Sequence, residues 1–174
     1  QGYILKQNTL ANILVNKIVV KKENIQFLLD HDLQLTGSKF VVVVFDILTM
    51  GLMAENDDSL NSEDREITRF AISNVFTELM SEVATCFYCE AENMFVCVLN
   101  ILDNGFNYNN LLEKARVACA FFESNFKLEL MCNFSQDAND VEKLPQLFEQ
   151  AKEMMTFRFL DQTDSVLAYD DVMH

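Results

Sequence analysis

The sequence lacks tryptophan, and it has one proline and four glycines among 174 residues. A chain so poor in proline and glycine is neither low-complexity nor dominated by loops. Positive charge is also scarce, because 13 Lys and Arg residues face 27 Asp and Glu residues, which gives a net charge of −14. Such a surface repels phosphate backbones, so we expect this segment to bind neither nucleic acid nor an anionic membrane directly.

Long hydrophobic runs are missing as well. The longest run, Phe40–Phe45, has the length of a strand, whereas a membrane span needs roughly 18 apolar residues. We therefore predict no membrane insertion by this segment, and no signal-peptide pattern is visible. The five cysteines are an odd number and lie among apolar residues, which indicates free thiols in a reducing cytoplasm. Because the first residue is Gln1 rather than Met, we expect a fragment of a longer chain.

Half of the residues are hydrophobic, and their spacing predicts alternating helices and strands. The predicted helices are Tyr3–Val20, Glu23–Leu33, one from about Ser62 to Ala84, Tyr108–Phe122 and one that begins near Pro145. The predicted strands are Phe40–Leu48, Thr85–Glu90, Met94–Ile101, Lys127–Phe134 and Ser165–Tyr169. Polar loops are predicted at Thr49–Asn61 and Asp103–Asn107.

From Phe40 the predicted order is β-α-β-β-α-β-α-β. This order predicts an α+β fold, an α/β sandwich with a ferredoxin-like β-α-β-β-α-β core and an extra C-terminal helix and strand. We assign residues 36–174 to this domain and residues 1–35 to an N-terminal helical arm. The strands that the crossover joins are expected to lie parallel and central, which would explain why the run VVVVFDI is apolar without alternation.

Cys86 and Cys89 have the C-x-x-C spacing of metal and redox sites. Structural zinc usually needs two such pairs, and only one is present. A three-residue step on a strand also directs the two side chains to opposite faces. A reactive pair would lie at a helix N-terminus, where the thiol pKa is lowered. We therefore predict ordinary thiols and no metal or cofactor at this hairpin.

The other candidate sites also fail on spacing. The acidic stretch Glu55–Glu66 lacks the glycine and glutamate positions of a calcium-binding EF-hand loop, which favours a solvated loop. His31 is the only internal histidine, and the four glycines are scattered rather than grouped in a phosphate-binding loop. We predict no catalytic residues.

Several stretches together resemble the central domain of AraC-type transcriptional regulators and response regulators of Gram-positive bacteria. They are ILKQNTLANILVNKI, KFVVVVFDI, DREITRFAISNVFTEL, MFVCVLNI, LFEQAKEMMTFRF and SVLAYDDV. The last two of these stretches, with the spacing from Ala151 to Arg158-Phe159, are the most specific. The resemblance implies a place in a signal-transduction protein, such as a two-component system. The domain would lie between an upstream receiver or membrane sensor and a downstream pair of helix-turn-helix motifs that bind DNA.

This central domain is itself similar to the GGDEF and nucleotide-cyclase palm, whose first-strand Asp matches Asp46. When AENMF is placed under the GGDEF motif, Ala91 and Glu92 replace the two glycines, and Asn93 and Met94 replace the two acids. Two-metal phosphoryl chemistry needs several carboxylates. The resemblance therefore implies a degenerate site without catalysis. Asp46 and Glu92 would be the remaining contacts for a nucleotide or divalent metal, unless Asp46 is only a strand-end carboxylate.

The sequence thus predicts a non-catalytic signal-relay and dimerisation domain of a cytoplasmic regulator, with no cofactor. The predicted association residues lie on the leading helix and are Ile4, Leu10, Leu14 and Ile18. They would form a homodimer, although the same apolar residues could instead pack on their own domain. The alternative function is a degenerate cyclase-like domain that binds a nucleotide or divalent metal as a regulatory ligand.

Overall fold

The structure is a computed structural model that describes residues 2–49, 62–102, 105–158 and 164–173. The strands are β1 (Lys39–Thr49), β2 (Ala84–Ala91), β3 (Met94–Ile101), β4 (Leu128–Ala138) and β5 (Val166–Ala168). The α-helices are α1 (Gly2–Leu14), α2 (Ile25–Asp30), α3 (Ser62–Met80), α4 (Tyr108–Phe126), α5 (Leu144–Phe157) and α6 (Tyr169–Met173). Single 3₁₀ turns lie at Lys22–Asn24 and Val141–Lys143. The predicted loop at 50–61 lies outside the described residues.

The five strands form one sheet in the order β2-β3-β1-β4-β5. The predicted α+β class and the predicted order of elements from β1 onward are confirmed. β1 and β2, which the first crossover joins, run in the same direction, because both are antiparallel to β3. They are not neighbours, however, and the expected central position of both strands is wrong. The strand that follows the first crossover, β2, lies at an edge. The parallel pair among the described strands is β4 with β5.

Helices cover both faces of the sheet, which explains the apolar run in β1. Val41, Val43 and Phe45 pack with α3 and α4 on one face. Val42 and Val44 pack with α1, α2 and α5 on the other face. Because successive side chains of a strand point to opposite faces, a strand that is buried on both sides shows no polar alternation.

The N-terminal helix is shorter than predicted and packs against the sheet. It ends at Leu14 rather than Val20, and Asn16 follows with a positive φ of 67°. Asparagine tolerates this left-handed conformation, which cannot continue an α-helix. Leu10, Ile13 and Leu14 are buried beside α5. The helix of the predicted arm therefore packs on one face of the sheet and forms part of the core there.

The C-terminal region begins as predicted and ends differently. Pro145 lies in the first turn of α5, where its missing N–H costs no helical hydrogen bond. The last strand is shorter than predicted, and the chain continues from Ala168 into α6. None of the helices that the structure describes is long and apolar enough to cross a membrane.

Candidate functional site

A tight turn joins β2 and β3 where the resemblance places the cyclase motif. The turn consists of Glu92 and Asn93, which have positive φ angles of 51° and 65°. Two such residues form a type I′ turn, whose twist matches that of the flanking strands. The hairpin is therefore tight although its turn contains no glycine.

Asp46 lies near the end of β1, opposite Met131 of β4. Strand alternation directs its side chain to the face that α5 covers. Burial raises the pKa of Asp46 above its ordinary 3.8, while the charge of Arg158 and a backbone hydrogen bond at Ile47 act to lower it. The group is thus a half-buried carboxyl whose nearby charge is a cation.

Glu92 forms an ion pair with a cation of α5. The Nζ atom of Lys152 lies 2.7 Å from a carboxylate oxygen of Glu92 and 2.6 Å from one of Glu149. Burial acts to lower the pKa of Lys152, but hydrogen bonds to the two glutamates outweigh this effect. The pKa is therefore raised above its ordinary 10.5, and the ammonium form is favoured. The Glu92 carboxylate is therefore already bound within the chain.

The two predicted ligand residues do not join a metal-binding cluster among the described residues. No group of three or more histidine, cysteine or carboxylate side chains that could hold an ion occurs in this part of the chain. A cavity of about 260 Å³ does connect the end of β1 with the hairpin. Its lining includes Asp46, Asn93, Arg65 and Arg69, but not Glu92.

No role was predicted from the sequence for the side chain of Arg158. It is 3% exposed. Its Nε donates to Oδ1 of Asn133 at 2.7 Å, and one terminal nitrogen donates to the carbonyls of Cys132 and Ser165 at 3.2 and 3.0 Å. The other terminal nitrogen donates to the carbonyl of Asp164. This arginine therefore joins the end of α5 to β4 and to the start of β5.

Asn133 extends the Arg158 network into the centre of the sheet. Its side-chain amide donates to the carbonyl of Val44 in β1 at 3.0 Å, and the residue is fully buried. Buried polar groups of this kind are stable only when their hydrogen bonds are satisfied. The sequence signal was the spacing Ala151 to Arg158, but that spacing does not show which atoms the guanidinium contacts.

The cysteines of the C-x-x-C motif point to opposite faces, as the strand spacing predicted. Cys86 packs against the core below α3 and α4, and Cys89 lies in the core below α1 and α5. Burial raises the pKa of Cys89 to about 12, so this thiol stays protonated at neutral pH. All five cysteines are free thiols.

The predicted association residues are only partly at the surface. Leu10 and Leu14 are each 1% exposed, and Ile18 packs at the margin of the same core, beyond the end of α1. The side chain of Ile4 lies outside what the structure describes. A partner helix could contact Leu10 or Leu14 only if α1 left the sheet, and the homodimer stays a prediction.

The chain was also compared with known proteins. It matches no protein-family model and no curated protein.

Proposed function

We propose that this chain is a non-catalytic signal-relay domain of an AraC-type transcriptional regulator. It would couple an upstream sensor or receiver to a downstream helix-turn-helix domain. The observation that supports a non-catalytic role is the state of the two candidate carboxylates. Glu92 is paired with Lys152 of α5. Burial raises the pKa of Asp46 despite the charge of Arg158, the residue that follows α5.

A relay needs a physical connection between its input and its output. The first helix, α1, shares a core with α5 through Leu10 and Leu14. At its other end, α5 continues into Arg158, which bonds to residues before β5. A displacement of α1 by an upstream domain would therefore change the packing of α5 and reach the C-terminal elements.

A homodimer in this proposal would use the outward side of α1. Leu5 is 62% exposed, whereas Leu10 and Leu14 are already buried against the sheet. Two copies could pair through Leu5 and its neighbours without unpacking either domain. Concentration-dependent light scattering on wild-type protein and on Leu5→Asp would test this arrangement, because only the wild type is expected to associate.

The decisive test of the relay is the gene sequence on both sides of this segment. We expect about 100 further residues with two helix-turn-helix patterns and a basic charge after His174. The segment before Gln1 would then identify the kind of input. A stop codon directly after His174 would contradict the regulator function.

A second candidate function is a regulatory ligand site in the cavity of about 260 Å³. This cavity combines Asp46 with Arg65 and Arg69 next to the hairpin, which offers a carboxylate to a divalent metal and two guanidinium groups to nucleotide phosphates. Thermal unfolding with increasing GTP and Mg²⁺ would test it, because specific binding raises the Tm with ligand concentration. Asp46→Asn should abolish that rise, and Glu142→Gln, an exposed carboxylate outside the cavity, should preserve it. A flat response of the wild type excludes this candidate.

A further inference from the structure

The outer side of β2 is an open edge of the sheet. β2 is the first strand in the sheet order and pairs with β3 on its inner side only. In an antiparallel hairpin with a two-residue turn, the residues that flank the turn form a hydrogen-bonded pair, and bonded pairs then recur at every second residue. Ala91 and Met94 are that first pair.

The same alternation determines which backbone groups of β2 point outward. It predicts a bonded pair at Val83 and Leu102, and the N–H of Leu102 does donate to the carbonyl of Val83 at 2.9 Å. The intervening residues Cys86, Tyr88 and Glu90 therefore direct their N–H and C=O groups away from β3. Within the described residues, no backbone hydrogen bond reaches these outward groups.

A groove of about 590 Å³ follows this edge between two helices. Gln7 of α1 lines one wall, and Arg65 and Phe70 of α3 line the other, while Tyr88 and Glu90 form part of the floor. Ligand sites commonly have volumes of about 300–1,000 Å³. Unprotected edge strands are usually covered or charged, because they template pairing with another chain. Here α1 and α3 leave the groove open along the edge.

The α3 wall of the groove offers apolar surface. Ile67 and Phe70 both line the groove and are 61% and 67% exposed. The aromatic rings of Tyr88 and Phe95 stack below them with centroids 5.6 Å apart. The hydroxyl of Tyr88 donates to the carbonyl of Ser73, which fixes the strand to α3. Apolar side chains of an added strand would pack on this side.

Two cations without carboxylate partners lie beside the same edge. Among the described residues, neither Arg65 nor Lys6 forms an ion pair, although the chain carries a net charge of −14. Lys6 lies over the ring of Phe87 on the α1 side, with its Nζ 5.1 Å from the ring centroid. Glu66 also lines the groove, and Glu90 there is neutralised by Arg69 at 3.2 Å. The unpaired cations favour a partner with carboxylates.

We propose that the outer edge of β2 binds an extended peptide segment of another protein, which adds to the sheet as a further strand. Successive side chains of the added strand would alternate between the two walls of the groove. Carboxylates would point toward Lys6 and Gln7, and apolar side chains would point toward Ile67 and Phe70. Main-chain hydrogen bonds to Cys86, Tyr88 and Glu90 would supply affinity, and the alternating side chains would supply specificity. The groove shares Arg65 and Arg69 with the cavity at Asp46, but neither Asp46 nor any residue of α5 lines it.

The probe is an acetylated and amidated eight-residue peptide in which valine and glutamate alternate. On its addition to the ¹⁵N-labelled chain, the amide signals of Cys86, Tyr88 and Glu90 should shift and their hydrogen exchange should slow. Glu90→Pro removes one outward N–H and no bond to β3. It should weaken binding at least about tenfold relative to Glu90→Ala, which keeps the N–H.

Two further comparisons keep the test independent of the folding of the proline variant. Two versions of the peptide are N-methylated, one on the odd and one on the even residues. The version that keeps the N–H groups facing β2 should bind, and the version that loses them should not. Lys6→Ala should weaken binding several-fold, because the peptide carboxylates face Lys6, whereas Lys143→Ala, an exposed cation outside the groove, should leave it unchanged.

Three results would overturn the proposal. One is the absence of shifts along β2 at millimolar peptide, and another is equal affinity of the two N-methylated versions. The third is a dimer of the unliganded chain in sedimentation equilibrium whose β2 amides are already protected, because a second copy would then occupy the edge. Failure of this site would leave the relay proposal intact, since the gene-sequence test does not depend on β2.

Discussion

The two edges of the sheet differ in length and in the contacts that hold them. At one edge β5 has three residues, and the guanidinium of Arg158 bonds to the carbonyls of Asp164 and Ser165 just before it. At the other edge β2 has eight residues. Beside it Arg69 pairs with the exposed Glu90, and the buried Nε of Arg69 has no hydrogen-bond partner among the residues that the structure describes. At one edge all three nitrogens of an arginine donate hydrogen bonds, and the other edge adjoins an arginine with unused bonding capacity.

This contrast separates a structural edge from an edge that is free to interact. A short edge strand that is tied down by buried hydrogen bonds offers little to a partner chain. A long edge with unpaired backbone groups can accept one. The following predictions test whether the two edges differ in energy as they do in geometry.

The largest effect is expected for Arg158→Ala. The substitution leaves the buried oxygen of Asn133 and several carbonyls without a donor, which should lower the free energy of unfolding by about 4 kcal/mol. Arg69→Ala at the open edge loses one partly exposed ion pair and a contact with the Phe95 ring, worth about 1 kcal/mol together. Urea unfolding of both variants measures the difference. Equal losses would show that the edges are not distinguished by their arginines.

Arg158→Lys is the matched variant for this prediction. Lysine keeps the positive charge but lacks the planar fork that reaches three carbonyls and Asn133 at once. We expect it to recover only a minor part of the lost stability. Full recovery would mean that the charge near Asp46, rather than the hydrogen bonds, holds the β5 edge.

The strand and helix pattern was readable from the sequence because it depends on local periodicity. The run at Phe40–Phe45 predicted a strand buried on both faces, and the three-residue step predicted that Cys86 and Cys89 point apart. Both follow from the geometry of a single strand. The central position of both crossover strands was predicted wrongly, because strand order depends on where β3 inserts, and no local pattern shows that.

The contacts of the candidate site could not be predicted from local sequence patterns, because they join residues that are far apart in the chain. Lys152 meets Glu92 across 60 residues of chain, and Arg158 meets Asn133 across 25. An apolar stripe such as Leu10 and Leu14 looks the same whether it packs on a sheet or on another helix. Only the position of α1 over the sheet distinguishes the two cases.

The next largest effect is expected for Leu14→Ala, which tests how firmly α1 covers the face beside the open edge. Leu14 is buried, and removing its side chain leaves a cavity, so we expect a loss of about 3 kcal/mol. Leu5→Ala is the control on the exposed side of the same helix and should change stability by about 0.5 kcal/mol or less. Urea unfolding of the two variants is the measurement. Similar small losses would indicate that α1 is only loosely attached.

A smaller, pH-dependent effect is expected at Asp46, which faces the arginine of the β5 edge. Because its folded-state pKa is raised above 3.8, its protonated form favours the folded state. That contribution is complete below pH 3.8 and is lost as the pH rises through the raised pKa. Asp46→Asn should therefore be more stable than the wild type at pH 7, and the two should converge near pH 3.

Chemical unfolding of both proteins across this pH range measures the convergence. Glu142→Gln, which removes an exposed carboxylate, controls for the change in net charge. A wild type that is more stable than Asp46→Asn at pH 7 would show the opposite balance. In that case attraction to Arg158 would outweigh the burial of the carboxylate.

The smallest effect is expected for Glu92→Gln at the tip of the hairpin that ends β2. Its ion pair with Lys152 is partly exposed, and Lys152 keeps Glu149, so we expect a loss of about 0.5 kcal/mol or less. A double-mutant cycle with Lys152→Met isolates the coupling between the two residues. A coupling well above about 1 kcal/mol would mean that α5 holds the tip as firmly as Arg158 holds the β5 edge. A weak coupling would leave the end of β2 tied to the core by its pairing with β3, so that the open edge could adjust to an added strand while the β5 edge could not.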